Sequence, residues 1–146
     1  MTDLEHRGEP AVKQIRVLVV DDEEELVSSI IKCLGIRGLS AEGVSSGERA
    51  LDILQSKDFD VVILDFKMPG MNGVDVLRQI KKKSPAAEVI MYTGNGPMET
   101  GIDALQLGAY QWIRKPITVN ELLVQINNAY DRKLIEADRR VQDEPL

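Results

Sequence analysis

The chain has 146 residues, of which 43% are hydrophobic and only 4% aromatic, and its formal net charge is -6. This length fits one domain with a single core, and the apolar fraction excludes a disordered chain. The negative charge argues against a general nucleic-acid-binding surface. A single cysteine, Cys33, excludes an internal disulfide and a cysteine-based zinc cluster.

The beginning of the chain, Met1 to Pro10, is polar and contains no apolar stretch that would indicate a secretory signal. No run elsewhere approaches the roughly 20 apolar residues of a membrane-spanning helix. We therefore expect a cytoplasmic protein.

Short apolar runs typical of buried strands alternate along the chain with helical patterns. The predicted strands are Arg16 to Val20, Leu39 to Ser45, Val61 to Asp65, Glu88 to Thr93 and Ala109 to Ile113. The predicted helices are Glu23 to Arg37, Gly47 to Gln55, Val74 to Lys83, Pro97 to Leu107 and Val119 to about Asp138. Five successive strand-helix units imply an α/β fold with a mostly parallel sheet and helices on both faces.

The third predicted strand ends in an acidic residue, Asp65, after the four apolar residues Val61 to Leu64. Such an uninterrupted apolar run is typical of a strand buried on both faces. Pro69, Gly70 and Gly73 enforce a loop directly afterwards. Because open α/β sheets bind their ligands at the carboxyl ends of the strands, Asp65 is the strongest candidate for a functional residue.

An acidic run, Asp21 to Glu25, follows the first strand and has two interpretations. Aspartate at a helix cap and acids in the first turn both suit the helix dipole, and we assign Glu23 to Glu25 to that turn. Alternatively, Asp21 and Asp22 approach Asp65, because the first and third strands are neighbours in a doubly wound sheet. Three crowded carboxylates raise one another's pKa, and a hard cation such as Mg²⁺ would relieve the repulsion.

Two further polar residues, Thr93 and Lys115, end strands at the same predicted edge. Together they supply a hydroxyl donor and a cation beside a carboxylate and a metal. This set suits a phosphoryl group, with Asp65 as the nucleophile, Lys115 and Mg²⁺ opposing the negative charge, and Thr93 on a phosphoryl oxygen.

In their order and spacing these residues resemble the receiver domain (CheY-like) of two-component response regulators. The matching motifs, within roughly Ile15 to Arg132, are Asp21-Asp22, Leu64 to Gly73, Thr93-Gly94, and Gly108-Ala109 leading to Lys115-Pro116. The resemblance implies a flavodoxin-like five-stranded sheet in the order 2-1-3-4-5. In that family the peptide bond at the position of Lys115-Pro116 is often cis, so the resemblance implies a cis bond here.

The resemblance further implies that Asp65 accepts a phosphoryl group from a histidine kinase or a phosphotransfer protein. Asp22, Asp65 and the backbone carbonyl of Lys67 would bind Mg²⁺ directly, and Asp21 would act largely through water. Thr93 and Lys115 would hold the phosphoryl oxygens. The signal would leave through the face formed by the fourth helix, the fifth strand and the last helix.

The switch implied by the resemblance begins with the charge of about -1.5 to -2 that phosphorylation adds. Thr93 would be drawn toward the phosphoryl group, and Trp112 would fill the space that Thr93 vacates. Trp112 stands three residues before Lys115, as the family pattern requires, and alternation about Gln111 predicts that Tyr110 shares its face. The alternative is a Trp112 that is fixed in the core or at an interface.

Lys67 and Asn95 stand two residues after Asp65 and Thr93, where this family tunes hydrolysis of the phosphoryl group. We expect Lys67→Ala to change the phosphoryl lifetime without abolishing phosphorylation. Glycines also crowd the loop before the fourth helix and the helix itself, and each glycine inside a helix costs roughly 1 kcal/mol relative to alanine. Gly94, Gly96 and Gly101 therefore predict a weak, mobile helix, unless they only reflect tolerance of glycine at a surface.

The predicted division of the chain is an N-terminal tail at 1–14, the receiver domain at 15–132, and a helical extension and tail at 133–146. Leu134, Ala137 and Val141 continue the apolar spacing of the last helix in a pattern close to a coiled-coil seam. This segment is either a connector to an output domain, with dimerisation as one route for the signal, or the trailing helix of a stand-alone receiver. The chain contains no recognised nucleic-acid-binding module.

Two other functions compete with a phosphorylated switch. A hydrolase of the haloacid dehalogenase type also uses an aspartate nucleophile after a strand with Mg²⁺. That family typically has a second aspartate two residues later, where this chain has Lys67, and no cap domain is visible. The third possibility is a receiver that binds partners without being phosphorylated.

Overall fold

The computed structural model describes residues 14–68, 70, 72–94 and 98–143. Five parallel strands form one sheet in the order β2-β1-β3-β4-β5, which confirms the predicted fold class. The strands are β1 (Arg16–Val20), β2 (Ser40–Val44), β3 (Val61–Asp65), β4 (Glu88–Thr93) and β5 (Gln111–Arg114). The helices are α1 (Glu24–Ile36), α2 (Gly47–Ser56), α3 (Gly73–Lys83), α4 (Met98–Gln106) and α5 (Val119–Asp143).

The largest differences from the predicted bounds lie at β5 and α5. The strand β5 begins at Gln111 rather than at Ala109, because the amide of Ala109 still donates to the carbonyl of Ala104 at 3.0 Å and so closes the end of α4. Gly108 makes this turn possible with a φ of 106°. The helix α5 continues beyond the predicted Asp138 to Asp143.

Both faces of the sheet are buried, because successive residues of the central strands point to opposite sides. The core on the side of α2, α3 and α4 includes Leu18, Val62, Leu64, Leu54, Leu77 and Ala104. The core on the side of α1 and α5 includes Val17, Val19, Ile63, Ile30, Leu34 and Ile126. The central strands β1 and β3 are therefore packed on both faces.

The turn from β3 into α3 brings two stretches of backbone close together. A Cβ atom at Gly73 would lie 2.7 Å from the Cα of Phe66, so glycine is needed at this position. Asn72 then begins α3, with its side chain accepting the amide of Asp75 at 3.0 Å. Ser46 caps α2 in the same way, by accepting the amide of Arg49 at 3.2 Å.

The last helix crosses position 132 without a break. Arg132 and Lys133 contact the buried acids Glu88 and Asp60 at the amino edge of the sheet. Beyond them, Leu134 and Ile135 are 48% and 56% exposed. Most of the predicted tails, residues 1–13 and 144–146, lies outside the described residues. Within the described residues, no helix combines the length and the apolar character that a membrane crossing requires.

Candidate functional site

Three carboxylates converge at the carboxyl edge of the sheet. Asp21 follows β1 and Asp65 ends β3, and these strands are paired through Val20 and Leu64. Asp21 is fully buried and Asp65 is 4% exposed, while Asp22 is exposed. One oxygen from each of the three carboxyl groups lies within 4.8 Å of the others. The structure therefore brings together the three acids that the sequence placed at this edge.

Lys115 reaches this acidic cluster from the end of β5. Its amide donates to the carbonyl of Thr93 at 2.9 Å, and the Lys115-Pro116 peptide bond is cis. Its Nζ donates to Oδ2 of Asp21 at 2.8 Å, but it lies 3.7 Å from Oδ2 of Asp65. The closest charged partner of Lys115 is therefore Asp21, not Asp65.

Asp21 does not cap the first helix, so the capping interpretation is wrong for this residue. The cap of α1 is Glu23, which makes no side-chain cap bond, and its amide donates to Oδ1 of Asp21 at 2.9 Å. Oδ2 of Asp21 accepts from Lys115 and, at 2.7 Å, from the hydroxyl of Tyr92. Burial acts to raise the pKa of Asp21, but the bonds from Lys115, Glu23 and Tyr92 outweigh it and lower that pKa.

The carboxyl group of Asp65 has much weaker compensation. Burial, followed by the negative charge of Asp21, raises the pKa of Asp65 to about 6. Lys115 and the amide of Lys67, which is 3.4 Å from Oδ1, oppose this rise without cancelling it. Asp65 is thus the acid at this edge whose ionised form most needs additional positive charge.

A cleft of about 160 Å³ opens above Asp65. Its lining residues are Asp22, Glu23, Asp65, Lys67, Thr93, Gly94 and Lys115. Thr93 is 2% exposed at the end of β4, and the side chain of Lys67 is exposed. Carboxylate and carbonyl oxygens are the ligands that Mg²⁺ prefers, so the residues of the cleft fit this ion. Apart from Asp21, the predicted metal and phosphoryl residues therefore line one small polar cleft.

Trp112 lies outside this cleft, half-buried against α4. Its ring meets Phe66 edge-on, with the centroids 5.7 Å apart and an interplanar angle of 61°. A Cβ atom at Gly101 would lie 2.9 Å from Cγ of Trp112, so the indole packs directly on the backbone of α4. Gly101 is buried, and the surface-tolerance explanation is wrong for it. Asn95 and Gly96 lie outside the described residues.

Tyr110 and Trp112 do not share a face, contrary to the prediction. Trp112 packs against the core beside α2, α3 and α4, and Tyr110 against the core beside α1 and α5. Side-chain alternation does not extend to Tyr110, because Tyr110 precedes the first residue of β5, Gln111, and so lies outside the pleated strand.

Tyr92 also contacts the acidic cluster, although the sequence indicated no role for it beyond its place in the fourth predicted strand. Its side chain is only 1% exposed, yet its hydroxyl reaches Asp21. The available signal was the polar hydroxyl itself, because a buried tyrosine usually finds a hydrogen-bond partner for it.

A five-stranded parallel sheet with two acids after β1, an acid ending β3, and Thr93 and Lys115 at the same edge defines the response regulator receiver domain. The sequence model of that family, described as "Response regulator receiver domain", matches residues 17–127. The chain belongs to this family and has its CheY-type, flavodoxin-like fold.

Known relatives agree with this assignment. The putative response regulator NtrX-like of Rickettsia bellii is 37% identical over 117 residues, which are 79% of this chain and 24% of that protein. A receiver domain structure from Clostridium thermocellum shares 40% identity with a TM-score of 0.78, covering 83% of this chain and 98% of that one. The beryllofluoride-activated NtrC4 receiver domain dimer shares 36% identity with a TM-score of 0.77, covering 81% and 98%. The chain spans about a quarter of the length of the curated relatives it matches.

Proposed function

We propose that this chain is a phosphorylation-dependent signalling switch in which Asp65 accepts the phosphoryl group from a histidine kinase or a phosphotransfer protein. The observation that carries the proposal is the state of Asp65 itself. It is buried at the base of an open polar cleft, its pKa is raised to about 6, and it lies between two further acids and Lys115. Strongly perturbed acids in a cleft are characteristic of functional sites.

Mg²⁺ is the cofactor that this donor set supports. Asp22, Asp65 and the backbone carbonyl of Lys67 would bind the ion directly. Asp21 would act through water, because both of its oxygens already accept hydrogen bonds. When bound, Mg²⁺ supplies positive charge against the carboxylates and the phosphoryl oxygens.

In the transfer step, an ionised oxygen of Asp65 forms a bond to phosphorus while the bond from phosphorus to the donor atom breaks. The electron pair of the broken bond leaves with the donor. With a pKa of about 6, most Asp65 side chains are ionised at neutral pH. Lys115 and Thr93 line the same cleft and would hold the phosphoryl oxygens as the negative charge arrives.

The switch would pass from Thr93 to Trp112 and leave through the face of α4, β5 and α5. Trp112 contacts Phe66, the residue next to the phosphoacceptor, and also packs on Gly101 of α4. A change in the β3 loop can therefore reach α4 through two direct contacts. Ile102 and Leu105 of α4 are 52% and 44% exposed, which suits recognition by a partner.

The partner on this face would be an output domain, a separate downstream protein or a second copy of the chain. An output domain agrees with the greater length of the relatives, and a second copy with the dimer reported for the NtrC4 receiver.

We further propose that the chain divides into a tail at 1–14, a receiver at 15–132 and an extension at 133–146, and that it is located in the cytoplasm. We expect no direct nucleic-acid binding by this chain.

The experiment that tests the proposal is phosphorylation by a small-molecule phosphodonor with Mg²⁺, followed by intact-mass measurement. Wild-type protein should gain one phosphoryl adduct, and Asp65→Asn should gain none. Asp58→Asn, which changes an exposed carboxylate, should be labelled like wild type. Labelling of Asp65→Asn at the wild-type rate would reject Asp65 as the acceptor. An unlabelled wild-type protein would favour a receiver that only binds partners.

A further inference from the structure

Tyr92 is a tyrosine in the most buried part of the sheet, next to the site. It lies in β4 directly opposite Asp65 of β3, and its ring belongs to the core beside α1 and α5. A hydroxyl in such surroundings is costly unless it has a hydrogen-bond partner. The partner here is Oδ2 of Asp21, which accepts the hydroxyl at 2.7 Å.

The same tyrosine also touches the cation of the site. Nζ of Lys115 lies over the Tyr92 ring, 4.6 Å from its centroid, and donates to the same Oδ2 of Asp21 at 2.8 Å. A cation over the face of an aromatic ring is attracted by the ring electrons. Tyr92 therefore contacts both members of the Asp21–Lys115 pair, through its hydroxyl and its ring.

This double contact matters when a phosphoryl group arrives. The added charge of about -1.5 to -2 on Asp65 attracts Lys115, which starts 3.7 Å from Oδ2 of Asp65. A Lys115 that turns to the phosphoryl group weakens its bond to the fully buried Asp21. The hydroxyl of Tyr92 comes from the interior of the sheet and remains in place to hold that carboxylate.

We propose that Tyr92 is a positioning residue for phosphoryl transfer, whose hydroxyl keeps Asp21 in place and whose ring guides Lys115 as Lys115 passes from Asp21 to the phosphoryl group on Asp65. The proposal rests on the proposed function of Asp65. It assigns a role in that reaction to a residue that lines neither the cleft nor the proposed metal site.

Two substitutions separate the hydroxyl from the ring. Tyr92→Phe removes the hydroxyl and keeps the ring under Lys115, whereas Tyr92→Leu removes both. Tyr110→Phe is the matched control, because Tyr110 is half-buried and its ring contacts Arg132 rather than the acidic cluster. Each of the three variants is made in the full chain of 146 residues and is compared with wild type.

The contacts are first measured without Mg²⁺ or phosphodonor. In NMR spectra the ε-methylene protons of Lys115 should show a ring-current shift that persists in Tyr92→Phe and disappears in Tyr92→Leu. A double-mutant cycle of Tyr92→Phe with Asp21→Asn should show coupling of roughly fivefold in the unfolding equilibrium constant. Absence of both the shift and the coupling would overturn the proposal.

Phosphorylation kinetics then test the role in transfer. Tyr92→Phe should lower the rate constant at saturating Mg²⁺ roughly tenfold or more, the effect of losing one hydrogen bond to a charged group, with the half-saturating Mg²⁺ concentration unchanged. Tyr110→Phe should behave as wild type. An unchanged rate constant, or a loss explained wholly by weaker Mg²⁺ binding, would overturn the proposal. A wild-type protein that is not labelled at Asp65 would reject the proposed function. A labelled wild type with an unaffected Tyr92→Phe variant would reject only the role of Tyr92.

Discussion

The two ends of the same parallel sheet both bury carboxylates, and they treat them in opposite ways. At the amino edge, Asp60 is fully buried and Glu88 is 1% exposed. At the carboxyl edge, Asp21 is fully buried and Asp65 is 4% exposed. Similar burial therefore occurs at both edges, and the difference between them lies in the charges that surround each acid.

The acids at the amino edge lie against basic residues of β1 and α5. Oδ2 of Asp60 accepts the amide of Arg16 at 2.8 Å, and its other oxygen accepts from Lys133 of α5. Burial acts to raise the pKa of Asp60, but the bonds from Lys133 and Arg16 outweigh it and lower that pKa. Nε of Arg132 lies 3.4 Å from Oε2 of Glu88 and also donates to Glu136 at 3.0 Å. These contacts hold α5 against the amino edge of the sheet.

At the carboxyl edge, by contrast, Asp21, Glu23 and Asp65 all approach one lysine, Lys115. Lys115 pairs most closely with Asp21, and the pKa of Asp65 rises to about 6. The difference between the edges teaches that burial alone does not identify a functional acid. A buried acid whose charge is offset by hydrogen bonds and basic groups is typical of a structural contact. A buried acid whose charge is not offset is a candidate site for a cation or a reaction.

The largest effect on stability is expected from Asp60→Asn. This substitution should lower the free energy of unfolding by about 3 kcal/mol at pH 7. The reason is that Lys133, which is mostly buried, loses the carboxylate that it contacts. Urea unfolding without Mg²⁺ measures this change. Asp58→Asn, at an exposed position, serves as the control and should change stability little. Equal stabilities of the two variants would remove the contrast between the edges.

The corresponding substitution at the carboxyl edge, Asp65→Asn, should change the free energy of unfolding in the opposite direction. Asp65→Asn removes a carboxylate whose pKa is raised from 3.8 to about 6, so its charge opposes folding at pH 7. We expect the free energy of unfolding to increase by about 2 kcal/mol in the absence of Mg²⁺. Saturating Mg²⁺ should reverse this ranking by stabilising wild type. A destabilised Asp65→Asn protein without Mg²⁺ would contradict the comparison.

The advantage of Asp65→Asn should also depend on pH. Below pH 3.8 the carboxyl group is protonated in both folded and unfolded chains, and between 3.8 and about 6 the folded chain binds more protons. Wild-type stability should therefore fall, relative to Asp65→Asn, as the pH rises through that window. Asp60 acts in the other direction, since its lowered pKa gives stability that is lost only at more acidic pH.

This dependence is measured by urea unfolding of both metal-free proteins at a series of pH values. The gap of about 2 kcal/mol at pH 7 should close near pH 4. A gap that stays constant from neutral to acidic pH would show that the charge of Asp65 does not cause it.

The smallest effect is expected from Lys67→Ala, which removes an exposed cation beside the cleft. The lifetime of the phosphoryl group should change roughly two- to fivefold, because an exposed charge contact is worth less than 1 kcal/mol. The decay of labelled protein measures this lifetime, with Lys82→Ala, at an exposed position of α3, as the control. Identical decay of Lys67→Ala and wild type would reject a role for Lys67.

Much of the fold could be predicted because hydrophobic periodicity reports burial directly. The bounds of β1, β3 and β4 were predicted without error, since their uninterrupted apolar runs have few alternative structures. The start of β5 was wrong because the capping turn of α4, which uses Gly108 and Ala109, resembles a strand in sequence. The convergence of Asp21, Asp22 and Asp65 followed from parallel topology, which brings all strand ends to one edge.

The sequence by itself determined the order of the strands and helices, the family and the acids at the carboxyl edge, because each of these follows from local patterns and motif spacing. Only the tertiary structure decided which partner each charge has. Lys115 pairs with Asp21, Tyr92 donates to the same carboxylate, and Lys133 reaches Asp60 from the last helix. Such contacts depend on side-chain distances of a few ångströms, and these are set by the packing of helices on the sheet rather than by any local pattern.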